Sequence, residues 1–222
     1  MVKDRIYAMD IQPLLGTGAY RSLRERLTPE RRQKADNYIF EKDRLLSAAA
    51  GLLLDRALND AGVTDRRVSF GENGKPHLAS RCGVHFNISH TGTLAVCAVS
   101  DARIGIDAEM IRSFEEDLAR HVFDESEREA GSSDAYLTTL WTVKESVTKY
   151  FGTGLSLEPS EITADLSDPI SVRCGRFDTS PLCFTVLRRG SCVITVCSEH
   201  GDFAEGKITM HEEITGAVAS RG

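Results

Sequence analysis

Apolar and polar positions change period several times along the chain. Arg5–Met9 is a short strand-like run, followed by a Gly-rich loop at Gly16–Gly18. Thr28 and Pro29 suit the N-cap and first position of a helix, and the stretch that follows, Glu30–Phe40, is polar and basic. From Asp43 to Asn59, Leu45, Leu46, Ala49, Leu52, Leu53 and Ala57 recur at helical spacing and predict a strong helix that Gly62 ends. The period then drops to two. Val84, Phe86 and Ile88 alternate with His85, Asn87 and Ser89, and Leu94, Val96 and Ala98 alternate across the next run, which predicts a hairpin turning at His90-Thr91-Gly92-Thr93. Ile104–Glu109 reads as another strand. Asp134–Phe151 reads as a second strong helix, capped by Ser133 or Asp134 and ended by Gly152 and Gly154. Cys183–Leu187 and Cys192–Cys197 form a second hairpin around Arg188-Arg189-Gly190-Ser191.

Helix, long link and hairpin therefore occur twice in order. This repeat of pattern, not of residues, predicts an α+β fold of two similar halves, 1–103 and 104–222, packed side by side. No Pro/Ser-rich linker separates them, so they are expected to share an interface.

Composition narrows the class. The 222 residues are 41% hydrophobic and 27% charged, which excludes disorder, collagen and coiled coil as global descriptions. The longest apolar stretches, Ala48–Leu54 and Leu94–Val99, fall far short of the roughly 20 residues that span a bilayer. The N-terminus carries Asp4 and Asp10 and no apolar signal core, so a cytoplasmic address and no membrane partner are expected. Cys82, Cys97, Cys174, Cys183, Cys192 and Cys197 form no Cys-x-x-Cys pair and are read as reduced thiols. The net charge of −6 argues against nucleic acid as a partner. It hides an asymmetry: residues 1–103 hold 16 basic and 12 acidic side chains, and residues 104–222 hold 11 and 21. A basic half beside an acidic half suits an anionic ligand that brings a metal, although ordinary drift in surface charge gives the same count.

Three segments carry candidate chemistry. In Gly105-Ile106-Asp107-Ala108-Glu109, the strand period puts Asp107 and Glu109 on one face, about 7 Å apart at Cα. Two such carboxylates can share a hard cation such as Mg²⁺, or simply form an exposed strand face. In the second helix, Leu137, Leu140, Val147 and Phe151 form the core stripe, while Trp141, Glu145 and Lys149 follow one flank. Glu145 and Lys149 on adjacent turns can meet a metal and a phosphate together, or form an exposed salt bridge. Asn87-Ile88-Ser89-His90-Thr91-Gly92 offers clustered donors that suit phosphate. Adjacent Ser and His side chains on a strand point to opposite faces, which weakens a hydrolase triad. Gly74-Lys75-Pro76 is a rigid corner presenting one cation. The wheel also separates two lysines. Lys144 falls inside the apolar stripe and is expected to brace the helix by pairing with a carboxylate. Lys149 lies off the stripe, where it is expected to act on phosphates and leave thermal stability nearly unchanged.

In this order and spacing, Gly74-Lys75-Pro76, Phe86–Gly92, Gly105–Glu109, Phe123-Asp124-Glu125-Ser126-Glu127, Trp141–Lys149 and Gly152-Thr153-Gly154-Leu155 resemble the Sfp-type 4′-phosphopantetheinyl transferases. Arg31, Lys34 and Arg44 fall at basic positions of that family. Ala108 replaces a larger aliphatic residue, and the stretch between Glu127 and Trp141 is short, where relatives touch the carrier protein.

The resemblance implies a pseudo-twofold fold with coenzyme A in the cleft between its halves. It implies an enzyme that moves the phosphopantetheine arm of its co-substrate coenzyme A onto a serine of an apo acyl or peptidyl carrier protein, leaving 3′,5′-ADP, and the internal repeat, which already supplies a dimer-like cleft, predicts a monomer. Relatives of this type serve secondary metabolism. Asp107, Glu109 and Glu145 would hold Mg²⁺, and Lys149 would neutralise the departing nucleotide. Glu145, directly or through a water, or Glu127 would accept the serine proton. Arg44, Lys75 and His90 would contact the nucleotide phosphates, with Arg31, Lys34, Pro76 and Asn87 nearby and Ser89 as a neutral donor. Two rival classes use the same residues: another Mg²⁺-dependent phosphoryl transferase or hydrolase, and a non-catalytic coenzyme A or carrier-protein binder.

Overall fold

The computed structural model describes residues 4–80, 82–200 and 203, and the backbone of 208–210. Residues 1–3 and 211–222, the outer ends of the two expected halves, lie outside the described residues. The first half of the chain runs β1 (Arg5–Asp10), α1 (Tyr20–Glu25), α2 (Pro29–Asp36), α3 (Glu41–Asp60), β2 (Val68–Phe70), β3 (Pro76–Leu78), β4 (His85–Thr91) and β5 (Leu94–Ser100). The second runs β6 (Ile104–Met110), α4 (Glu116–Val122), α5 (Glu125–Ala130), α6 (Asp134–Phe151), β7 (Ile162–Asp165), β8 (Ser171–Cys174), β9 (Cys183–Arg189), β10 (Cys192–Ser198) and β11 (Ile208–Met210).

The caps that the sequence predicts are in place. Thr28 Oγ1 accepts from the Arg31 amide at the start of α2, and Ser133 Oγ accepts from the Tyr136 amide at the start of α6. Gly152 ends α6 in the left-handed region at φ 70°, its N–H bonded to the Thr148 carbonyl. A residue with a side chain would be strained there.

The strand order is β11-β1-β5-β4 in one sheet and β6-β10-β9 in the other. In each, the leading strand (β1 or β6) pairs antiparallel with the second strand of a hairpin. The hairpins are β4–β5 and β9–β10. The fold is thus α+β, and its topology repeats. Buried residues of α3 cover one face of the first sheet together with Tyr7, Met9, Phe86, Cys97 and Val99. Buried residues of α6 form a second core with β7, β8 and Cys197. The remaining faces meet each other: Ile6, Ala8, Val96 and Ala98 pack with Ile104, Ile106, Ile194 and Val196.

At the edge of this layer β4 runs beside β6 without a backbone ladder between them. Side chains take its place. Asn87 Oδ1, Ser89 Oγ and Thr91 Oγ1 accept from the amides of Ile106, Ala108 and Met110 at 3.0, 3.4 and 3.2 Å. An edge strand would otherwise leave these donors unpaired. Close packing of α6 on β6 depends on Gly105. A Cβ there would run into the Ser146 carbonyl oxygen and lie 2.5 Å from the Tyr150 amide nitrogen.

All six cysteines are free thiols. Among the described residues no helix is long and apolar enough to cross a membrane.

Candidate active site

The alternation of β6 sends Ile106 and Ala108 into the layer between the sheets, and Asp107 and Glu109 to a cavity of about 390 Å³. The helical period of α6 brings Trp141, Glu145 and Lys149 to the same cavity. β4 contributes Ser89 and His90, α2 contributes Arg31 and Lys34, and Tyr38, Ser47 and Ala50 complete the wall. A second space of about 570 Å³ shares Ile88, Glu145 and Lys149 with the first, and extends along Asn73–Pro76, Asn87 and Gly152.

One wall is acidic. Lys149 Nζ lies 2.6 Å from Asp107 Oδ1 and donates to Ser89 Oγ at 2.9 Å. Ser89 Oγ donates in turn to Asp107 Oδ1 at 2.9 Å, and Thr91 Oγ1 to Glu109 Oε1 at 2.9 Å. Burial pushes the Asp107 carboxyl above its ordinary pKa, against the Lys149 ammonium and the Ser89 hydroxyl. Burial also raises Glu145, helped by the charges of Asp107 and Glu109 and opposed by Lys149. The Lys149 ammonium thus pairs with Asp107 in a cavity that Glu109 and Glu145 also line, three carboxyl groups to one ammonium on this wall.

The other wall is basic. Dehydration lowers the pKa of Arg31. It lowers Lys34 too, with the Arg31 charge adding to the effect. His90, exposed at the rim, is lowered by dehydration and then by Lys149 and Lys34. Crowded cations short of counter-charge are a site for an anion.

Among the described residues no three His, Cys, Asp or Glu side chains converge into a ready-made metal centre. The donor set nonetheless fits a hard divalent cation. Asp107, Glu109 and Glu145 offer only oxygen, line one cavity, and would be relieved of mutual repulsion by a positive ion.

Known proteins match this frame along most of its length. The family described as 4′-phosphopantetheinyl transferase, N-terminal, matches residues 17–102, and the 4′-phosphopantetheinyl transferase superfamily matches residues 103–197. A 4′-phosphopantetheinyl transferase of Bacillus subtilis is 30% identical over 222 residues, covering 95% of this chain and 99% of its own. The 4′-phosphopantetheinyl transferase Sfp of Bacillus subtilis strain 168 is 29% identical over 85% of this chain and 89% of its own. The 4′-phosphopantetheinyl transferase HetI of a Nostoc species is 33% identical over 66% and 69%. The chain belongs to the Sfp-type 4′-phosphopantetheinyl transferases.

Not every residue expected at the site lines this cavity. Glu127, expected as an alternative proton acceptor, lies apart from this cavity with both carboxylate oxygens hydrogen-bonded. It is 2% exposed. Its Oε2 accepts from Lys144 Nζ and the Asp124 amide, both at 2.7 Å, and its Oε1 accepts from the Ala164 amide at 2.7 Å. A carboxylate so occupied ties α5, α6 and β7 together, and it is not among the residues of the acidic wall. Lys144 is the brace that the wheel predicts, fully buried and also bonded to the Val122 carbonyl.

Arg44 does not line the cavity either: its Nε donates to the Tyr38 carbonyl at 2.7 Å, and its guanidinium lies 5.9 Å from the Tyr20 ring. Lys75 borders the second space, but its ammonium donates to the carbonyls of Ile104 and Tyr150 at 3.1 and 2.9 Å. Burial pushes its pKa down to about 8. Arg31 and Lys34, expected only nearby, take the cavity positions instead. Pro76 and Asn87 border the second space, and the Asn87 side chain holds β6. Lys149, expected to face phosphates, is also ion-paired with buried Asp107.

Sequence reasoning missed Ser47 and Tyr38. Ser47 is 5% exposed and its hydroxyl has no hydrogen-bond partner. Its only sequence signal is one hydroxyl inside the apolar run from Leu45 to Leu54.

Proposed function

We propose that this transferase moves the phosphopantetheine arm of coenzyme A to a serine of an apo carrier protein in a Mg²⁺-dependent reaction at the bipolar cavity. The observation that carries this reading is the cavity's two-sided charge. A wall short of cations faces a wall short of anions, which suits a pyrophosphate bearing a divalent ion. The family models meeting at residues 102 and 103, and the repeated topology, support halves 1–103 and 104–222 with the site in the cleft between them.

Arg31, Lys34 and His90 bind the nucleotide phosphates, and the unpartnered Ser47 hydroxyl adds a neutral donor to them. Asp107, Glu109 and Glu145 hold Mg²⁺, which when bound supplies charge neutralisation on the pyrophosphate. The carrier serine Oγ forms a bond to the phosphorus of the phosphopantetheine arm, and the bond from that phosphorus to the oxygen of 3′,5′-ADP breaks. Glu145, directly or through a water, accepts the serine proton at a carboxylate oxygen. Lys149 neutralises charge on the departing oxygen. Positioning and electrostatics dominate such phosphoryl chemistry.

The internal repeat supports a monomer, the six free thiols a reducing compartment such as the cytoplasm, and the net charge of −6 a site that takes no nucleic acid. Incubation with coenzyme A, Mg²⁺ and an apo carrier protein should raise the carrier's mass by one phosphopantetheine. An unchanged carrier with intact coenzyme A, or coenzyme A cleaved without a carrier product, overturns the reading.

A further inference from the structure

Thr91 closes β4 at the hairpin and makes two bonds with one hydroxyl. It accepts from the Met110 amide at 3.2 Å and donates to Glu109 Oε1 at 2.9 Å. Two residues earlier Ser89 repeats the device: it accepts from the Ala108 amide at 3.4 Å and donates to Asp107 Oδ1 at 2.9 Å. In both cases the β4 hydroxyl reaches a carboxylate 18 positions further on, so one register serves both pairs. We propose that Thr91 is a positioning residue of the transferase site: its hydroxyl fixes the carboxylate of Glu109 through the same contact that locks β4 to β6. This rests on the reading of Glu109 as a metal ligand.

Glu109 is half-buried and has three rotatable bonds, and its Oε1 accepts from the Thr91 hydroxyl and the Met110 amide, so without the hydroxyl only the amide of the next residue holds the carboxylate. Outer hydrogen-bond partners of metal ligands commonly control affinity by about 10–100-fold. The turn keeps Thr91 in place. Gly92 has φ 56°, in the left-handed region that favours glycine, and a Cβ on it would lie 2.9 Å from Met110 Cγ and Sδ, so that flexible side chain would have to move to admit one. Removing the hydroxyl need not unfold the strand, because the Met110 amide also donates to Glu109 Oε1 at 3.1 Å.

The test compares Thr91→Val, which keeps the branched shape, with Thr91→Ser, which keeps the hydroxyl, and uses Glu109→Gln as control. Trp141 is the only tryptophan and lines the cavity, so its quenching by Mn²⁺ in the presence of coenzyme A, without carrier, reads metal affinity directly. Thr91→Val should bind Mn²⁺ about 10-fold more weakly, Thr91→Ser should stay near wild type, and high Mg²⁺ should restore most of the transfer rate of Thr91→Val. If Thr91→Val binds Mn²⁺ as wild type does while Glu109→Gln is weakened, the positioning role is wrong. Equal weakening in Thr91→Ser and Thr91→Val also overturns it, because the hydroxyl that serine keeps would then do nothing. If Glu109→Gln itself binds as wild type does, the metal reading of Glu109 fails instead.

Discussion

Lys144 and Lys149 sit on one helix in opposite electrostatic situations. Lys144 is fully buried with Glu127, so removing its ammonium leaves a carboxylate in the core with only backbone donors. Lys144→Met should cost about 3–5 kcal/mol, and adding Glu127→Gln should recover part of it. Lys149 is 28% exposed and faces Asp107 at 7%. Lys149→Met should abolish most of the single-turnover rate and cost about 1–2 kcal/mol, discounted for solvent screening. The second cost has a pH sign. Asp107 already has a raised folded-state pKa, and losing Lys149 raises it further. The folded variant then binds that proton more tightly than its unfolded chain, so its stability rises as pH falls through the raised value. Metal-free melting curves should show a deficit at neutral pH that narrows as the pH falls; a constant deficit would remove Asp107 from the explanation. At this scale the sequence was informative wherever residue type and period agreed, as for Asp107, Glu109, Glu145, Lys149 and Lys144. Glu127 and Arg44 stand apart from this cavity because their polar groups are bonded into the scaffold, Glu127 by Lys144 and the Ala164 amide and Arg44 by the Tyr38 carbonyl. No local pattern encodes that Lys75 caps carbonyls of β6 and α6.

Elements differ in legibility for a physical reason. α6 has 18 residues, enough turns for its apolar stripe to repeat, and its ends match the sequence expectation. α3 begins two residues earlier than expected, at Glu41, where acidic side chains in the first turn suit the helix dipole. The ribbons β2–β3 and β7–β8 and the helices α4 and α5 span three to seven residues each, too few to show a period, and tertiary packing decides them. Their closest tolerances are equally invisible in sequence. Gly105 reads as one small residue in a strand, yet its missing Cβ is what lets α6 lie on β6 and carry Glu145 and Lys149 to Asp107. Gly105→Ala pushes backbone against backbone, which no rotamer change relieves. It should cost about 3 kcal/mol or more and lower transfer together with melting temperature. A Gly105→Ala variant with a wild-type melting curve would show that α6 is not seated there as described.

Across the whole molecule the repeat makes a single unit only if the layer between the sheets couples its two parts. The sequence predicted the repeat and a shared interface, but not which faces meet, because a strand buried on both faces reads as one apolar run. That layer is where Ile106 sits, fully buried among side chains of both sheets, with its amide held by Asn87. Ile106→Ala opens a cavity at the junction, and such truncations cost about 2–5 kcal/mol. For a chain of this size that corresponds to a fall of roughly 5–15 °C. If the layer couples the parts, calorimetry should show one endotherm moved down as a whole. Leu53→Ala in the core under α3 and Leu140→Ala in the core under α6 should move that same endotherm. Independent parts behave differently: Leu53→Ala would lower one transition and leave a second at its wild-type position. The seam would suffer first in the coupled case, since Ser89 and Thr91 hold Asp107 and Glu109 only while β4 stays beside β6. Cation affinity in Ile106→Ala should therefore fall before the endotherm begins, and a site that keeps full affinity up to that temperature would detach the carboxylates from the seam.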